Sequence, residues 1–264
     1  MQPTNQGKNE PDVLPLGDYI RKVFKDKENT SQPEQIFCES TSPPTLVRGR
    51  KNRILMYGGC FNPPHIGHLE QLIHCYRAGH AHLNVIAAVI CLIKPHKIKK
   101  KDFQDPSEAL PENVRAKLWN QDPRFPEWAW ILPEHWDGVY PFTDRLREAS
   151  KKDGFDIDFL SVQGSDHYRN GRIHDFPSWG CFEYITSDMS RYNYYIQRNA
   201  LRRLTLFEEW ETLPVEEDRK ETPSETALDA SRDHTDVDIE TQDDILWYVF
   251  KGSGCSFATV RKLT

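Results

Sequence analysis

Residues 53–69 read RILMYGGCFNPPHIGHL. Ile54 to Tyr57 is a short apolar run that stops at Gly58-Gly59, the pattern of a buried strand entering a tight turn. From Gly67 onward Leu69, Leu72, Ile73 and Tyr76 recur at helical spacing, and Gly79 stands where a glycine commonly ends a helix. A strand, a turn rich in glycine and proline, and a helix therefore follow one another. In an open α/β sheet such a turn lies at the carboxyl ends of the strands, where ligands bind. The helix N-terminus beyond it offers free backbone N–H groups and a partial positive charge to an anion. Glycines 58, 59 and 67 place no Cβ between the backbone and such a ligand. His65 and His68, three residues apart, flank the helix start, and each imidazole can donate a hydrogen bond to a phosphate oxygen.

Working outward, residues 85–93 form one continuous apolar run, as in a strand buried on both faces of a parallel sheet, a pattern that a buried helix segment can mimic. Further strands are expected at 128–132, 157–162, 182–186 and 246–250, and helical patterns at 113–120, 142–151 and 192–210. This alternation predicts an α/β fold, a mostly parallel sheet with right-handed crossovers and helices on both faces. Residues 1–50 are polar and carry prolines; they read as a largely irregular N-terminal extension. Within them Tyr19, Ile20, Val23 and Phe24 have the spacing of a short helix that docks on a core. Residues 51–264 read as a single domain. The acidic stretch at about 211–243, nearly free of aromatic residues, reads as a disordered, self-repelling insertion.

Composition narrows the class. The chain has 264 residues, 34 Lys+Arg and 40 Asp+Glu, a net charge of −6, which does not suggest a nucleic-acid partner. With 14 glycines added to the 38% hydrophobic share, the apolar fraction is about 43%, slightly below the roughly 45–50% usual for globular chains. The extension and the acidic stretch account for that shortage. No apolar run approaches the roughly 18 residues of a membrane span, and the N-terminus lacks the basic start and apolar core of a signal peptide. Six cysteines (Cys38, Cys60, Cys75, Cys91, Cys181, Cys255) contain no CxxC pair and read as reduced, mostly buried thiols. An intracellular protein, cytoplasmic or nuclear, is expected. His74, His80, His82 and His96 lack the paired spacing of a structural zinc site, so no metal ligand is assigned.

The string GGCFNPPHIGHL resembles the signature of the HxGH nucleotidylyltransferase superfamily. Its GGxFNPP form is closest to the nicotinamide/nicotinate mononucleotide adenylyltransferases. The resemblance implies a Rossmann-like, doubly wound fold from about residue 53 to the end of the chain. It implies that His65 and His68 contact the ATP phosphates, and that Gly58, Gly59, Cys60, Phe61 and Gly67 line the nucleotide. Gly164-Ser165-Asp166, after an expected strand, looks like the family's G-(S/A/G)-D element, with Asp166 accepting bonds from ribose hydroxyls. Lys94, after the second apolar strand, is expected to neutralise phosphate charge. Arg115 and the tryptophans Trp128 and Trp130 are expected near the acceptor, where related enzymes stack the pyridine ring on an aromatic side chain.

The family ends in a string like ISSTxVR, a second helix start that binds the triphosphate. Here residues 255–261 read CSFATVR. Ser256 and Arg261 fit, as a helix cap and a phosphate-reaching arginine, whereas Phe257 and Ala258 replace small hydroxyl residues. Only three residues follow Arg261, so that helix would be very short, as in a chain cut off at Thr264.

The reaction implied is transfer of AMP from ATP to a mononucleotide, with release of pyrophosphate and Mg²⁺ held by the phosphates. The partners are ATP and a phosphorylated small-molecule acceptor. Two alternatives stand beside it: a cytidylyltransferase acting on a phospho-alcohol, and a catalytically weakened nucleotide-sensing module of the same fold.

Overall fold

A computed structural model describes residues 12–25, 36–37, 42–93, 109–133, 136–164, 167–169, 172–173, 179–187, 196–197, 200–201, 211–212, 245–249 and 256–260. Its strands are β1 (Val13–Pro15), β2 (Thr45–Val47), β3 (Lys51–Gly59), β4 (Val85–Leu92), β5 (Ala129–Ile131), β6 (Asp156–Gln163) and β7 (Tyr168–Arg169). The remaining strands are β8 (Arg172–Ile173), β9 (Glu183–Ser187), β10 (Ile196–Gln197), β11 (Ala200–Leu201), β12 (Glu211–Thr212), β13 (Ile245–Val249) and β14 (Ser256–Val260). The helices are α1 (Leu16–Lys25), α2 (Ile66–Leu83), α3 (Glu112–Asn120) and α4 (Trp136–Lys152).

Eight strands form one sheet in the order β12-β13-β14-β9-β6-β3-β4-β5. Six of them, β3, β4, β5, β6, β9 and β14, are parallel to their neighbours within this set. Counted along the chain these six lie in the order 3-2-1-4-5-6, that of a doubly wound Rossmann sheet. The strand order reverses between β3 and β6, which opens a crevice at their carboxyl ends.

Alternating side chains build two cores, one on each face. Ile54 and Met56 of β3, with Ile157 and Phe159 of β6, join a cluster that takes in α1 and α4. Leu55 and Tyr57, with Leu160 and Val162, join a second cluster under α2 and α3. All eight residues of β4 are buried, as a strand covered by helices on both faces requires. No described helix is long and apolar enough to cross a membrane.

Helix α1 follows from its sequence: Asp18 sits in the first turn and Lys22 and Lys25 in the last, complementing the helix dipole. Leu16, Ile20 and Phe24 are fully buried against the core, and Tyr19 Oη donates to Asp153 at 2.9 Å. The short docking helix expected from Tyr19, Ile20, Val23 and Phe24 is thus present, with all four side chains buried.

Three local expectations are corrected. Helix α2 runs past Gly79 to Leu83, and the left-handed residue that ends it is Asn84 (φ 52°), whose N–H bonds Gly79 O. Gly79 is small because a Cβ there would meet Val85 Cγ2 at 2.6 Å, so it lets helix and strand approach closely. Of the helix expected at 192–210, residues 196–197 and 200–201 instead pair as an antiparallel ladder; the two residues between them are the length of a hairpin connection. The rest of that span lies outside the described residues. Finally, residues 256–260 form a strand, not a helix start. Phe257, Thr259 and Val260 are strand-favouring types, and β14 is paired on both sides, parallel to β9 and antiparallel to β13. The acidic stretch, apart from 211–212, also lies outside the described residues.

Candidate functional site

Strand β3 delivers the glycine pair to the carboxyl edge of the sheet beside the point where strand order reverses. Its chain then turns through Cys60–Pro64 into α2, passing a cis Asn62–Pro63 bond, with Phe61 left-handed at φ 42°. His65 is the N-cap of α2 and is exposed; Gly58, Gly59, Cys60, Gly67 and His68 are half-buried. The first turn of α2 contains no acidic residue, so its positive end is uncompensated by the helix's own side chains.

The two imidazoles stack, with centroids 3.6 Å apart and planes 28° apart. His68 Nδ1 accepts the backbone N–H of His65 at 3.2 Å. A nitrogen that accepts has no proton of its own, so the neutral ring carries its proton on Nε2. Phe61 packs edge-on against His68 (5.0 Å) and against Tyr57 and Trp119 (4.9 and 5.3 Å), holding the imidazole from below. Gly59 is required by this ring: a Cβ there would meet Phe61 Cζ at 2.7 Å.

Arg115 of α3 is fully buried, and the three hydrogen bonds described for its guanidinium go to backbone carbonyls. Nη1 donates to Cys60 O at 2.5 Å, Nη2 to Ile93 O at 2.6 Å and Nε to Leu110 O at 3.1 Å. Burial pulls its pKa below the usual guanidinium range, against the opposing influence of Glu112. The side chain expected near the acceptor is therefore committed to three backbone carbonyls. Asn62 Oδ1 accepts the N–H of Leu110 at 2.8 Å, adding a second tie between the turn and the segment leading into α3.

Across the crevice, β6 ends at Gln163 and Gly164 follows it, its carbonyl accepting the N–H of His167 at 3.2 Å. Ser165 and Asp166 lie outside the described residues, as do Lys94, next to Ile93, and Arg261, next to Val260. A buried polar network underlies this edge. Tyr57 Oη donates to Gln71 Oε1 at 3.2 Å, and Gln71 Nε2 to Gln163 O at 3.0 Å. Thr186 Oγ1 donates to the same carbonyl at 2.8 Å, and Gln163 Nε2 to Ser161 Oγ at 2.8 Å. Asn62 was visible as part of the GGxFNPP string but was given no role, and the network was not foreseen; single polar residues beside apolar ones were its only sequence signal.

Three further expectations place their residues elsewhere. Trp130 is core, 6% exposed and packed on Phe24 and Phe142. Trp128 lies just before β5 and stacks flat on Tyr76, 3.5 Å apart and 4° from parallel. Tyr76 lies eight residues beyond His68, about 12 Å further down the helix. Ser256 opens β14 opposite Glu183, at the amino edge of the sheet, about 13 Å of strand from Val260 at the carboxyl edge. Among the described residues no group of three His, Cys, Asp or Glu is gathered that could hold a metal ion.

Comparison with curated proteins gives no match. Residues 56–128 match a family model described as cytidylyltransferase-like. That stretch opens within β3, takes in both histidines, α2, β4 and Arg115, and closes at Trp128. The match supports the HxGH nucleotidylyltransferase superfamily and a nucleotidyltransferase-type activity, and leaves the branch within it open.

Proposed function

We propose that the protein transfers AMP from ATP to nicotinamide mononucleotide or its nicotinate counterpart, yielding the dinucleotide and pyrophosphate. One observation carries the reading: two stacked imidazoles cap an acid-free helix N-terminus where the order of a parallel sheet reverses. In the proposed reaction an oxygen of the acceptor's 5′-phosphate attacks the α-phosphorus of ATP. A new P–O bond forms, the bond to the β,γ-diphosphate breaks, and pyrophosphate leaves with its electrons. No protein nucleophile is needed; positioning and donors aimed at developing charge do the chemistry.

His68, with its proton on Nε2, is suited to donate to the α-phosphate, and His65 and the first α2 amides to the neighbouring phosphates. Lys94 and Arg261 follow the carboxyl ends of β4 and β14 and are proposed as further phosphate contacts, with Asp166 at the ribose. These donors are imidazoles, amides and cations, a set suited to phosphate oxygens. Mg²⁺ would accordingly arrive held by the triphosphate, where it supplies charge neutralisation. The cytidylyltransferase reading draws on the description of the matched family and on the strand at 256–260 where the adenylyltransferase signature expects a helix start.

A pyrophosphate-release assay over ATP and CTP, each with nicotinamide mononucleotide, nicotinate mononucleotide and phosphocholine, decides between them. Turnover only with ATP and a pyridine mononucleotide is expected. Turnover only with CTP and phosphocholine would replace the proposal, and no turnover with any pair would end it.

A further inference from the structure

Arg115 is an unusual expenditure of a charged side chain: fully buried, it spends its donors on three carbonyl oxygens drawn from three separate segments. Cys60 belongs to the turn after β3, Ile93 to the end of β4, and Leu110 to the chain entering α3. Ile93 N also donates to Gly59 O at 3.1 Å. The carbonyls of Gly59, Cys60 and Ile93 are thereby all turned toward protein donors. Left loose, peptide groups at the carboxyl ends of parallel strands would present these oxygens to the crevice, where they repel a polyanion. Peptide planarity adds a second consequence. With Cys60 O drawn toward Arg115, the N–H of Phe61 in the same trans peptide points the opposite way.

We propose that Arg115 is a positioning residue for nucleotide phosphate: it holds the 58–64 turn in its anion-accepting conformation while touching no substrate. The proposal rests on the nucleotidyl-transfer reading for its choice of ligand, whereas the clamp itself is a property of the ligand-free chain. A fork of three donors in one plane explains the residue type. Lysine at this position keeps the charge but has neither the plane nor the span to reach three separated carbonyls.

A positioning role has a distinct kinetic signature. Loosening the turn lowers the fraction of molecules competent to bind, and apparent affinity falls by that fraction, while saturating nucleotide restores the bound form. Arg115→Lys should therefore raise the KM for nucleoside triphosphate about 10- to 100-fold with kcat within about threefold of wild type. Independently of activity, backbone amide exchange in a peptide covering 58–64 should quicken at least about tenfold in the variant, with exchange in β6 unchanged. Asn62→Ala, which removes the second tie without uncovering a buried charge, should shift both readouts the same way by about three- to tenfold. It serves as the test if the lysine variant does not fold.

Unchanged exchange at 58–64 in a folded variant overturns the clamp, whatever the activity. A loss confined to kcat with KM intact also overturns it, because that marks a group acting at the reacting atoms. If the wild-type protein releases no pyrophosphate from any pair while exchange still quickens, the clamp stands and the reaction assigned above falls.

Discussion

Gly59→Ala tests the way the motif is packed. A Cβ at this position meets three atoms of the Phe61 ring, at 2.7, 2.9 and 3.0 Å, the first two closer than real Cβ contacts come. The ring has little room to retreat: Phe61 is 4% exposed and wedged among Tyr57, His68 and Trp119. Gly59 itself lies outside the left-handed region, so alanine is conformationally allowed there. Taken alone, that change stabilises by about 0.4–1 kcal/mol through the unfolded chain. Overpacking of a filled site costs about 1–3 kcal/mol. The net is a loss of about 1–2 kcal/mol, which for a domain of this size lowers Tm by about 2–8 °C.

The assay is a thermal melt and a urea titration of four proteins: wild type, Gly59→Ala, Phe61→Leu and the double variant. Leucine removes the ring atoms that the new methyl strikes. In the leucine background Gly59→Ala should therefore cost no more than about 0.5 kcal/mol, a coupling of about 1 kcal/mol between neighbours. A single variant that melts at or above wild type, or an equal penalty in both backgrounds, would refute the reasoning. The motif glycine would then have to be explained by ligand approach alone.

His68→Ala should lower kcat by about 10²- to 10³-fold with the fold retained, as loss of one preorganised donor does; full activity would sink the catalytic assignment. Before any ligand is added, ¹⁵N NMR of the neutral ring should show the proton on Nε2, because Nδ1 accepts from His65. Trp128→Ala and Ser256→Ala should each leave the KM of both substrates within about threefold, since one ring is stacked on Tyr76 and the hydroxyl residue opens a strand at the far edge. A tenfold rise in either KM would return that residue to the site. Burial pushes the thiols of Cys91 and Cys181 well above the usual cysteine range, Cys91 also through Cys181 and Cys181 against the pull of Arg147. A raised pKa means less thiolate at a given pH, so at pH 8 both should alkylate only as fast as the chain unfolds, while half-buried Cys60 reacts in the native state.

The strand–turn–helix at 51–83 was legible because each part carries its own physical signal: an apolar run, paired glycines, then a period near 3.6. The eight buried residues of β4 were legible as core, but a continuous apolar run carries no period, and a buried helix segment would have looked the same. What local pattern did not carry were the partners of each element. Whether 256–260 extends a sheet or opens a helix depends on β9 and β13 lying alongside, which no local pattern records. Trp128 and Trp130 alternate, and their rings go to opposite faces as alternation expects, but the ring each one packs on, Phe24 and Phe142 in the core below α1 and α4 or Tyr76 of α2, is set by distant elements. Gly79 looked like a helix end because glycine is common there; the strand that presses on it is contributed by Val85, beyond the helix.

Arg115 shows the same limit most sharply, and it changes how the charge of the site is understood. A chain of net charge −6 that binds a polyanion must create positive potential locally. The lysines and arginines of the sequence invite a search for surface cations facing the crevice. Around the described part of the crevice the means are different. The carbonyls of Gly59, Cys60, Ile93 and Gln163 are each engaged by a protein donor, which removes negative ends from the edge. The helix N-terminus and two imidazoles then face outward with no acid in the first turn to cancel them. In the proposed reaction, hydrogen-bond accounting joins charge counting in making the described part of this edge suited to phosphate. It could not be read from residue types, because the decisive arginine acts from inside the fold and the groups it controls belong to the backbone.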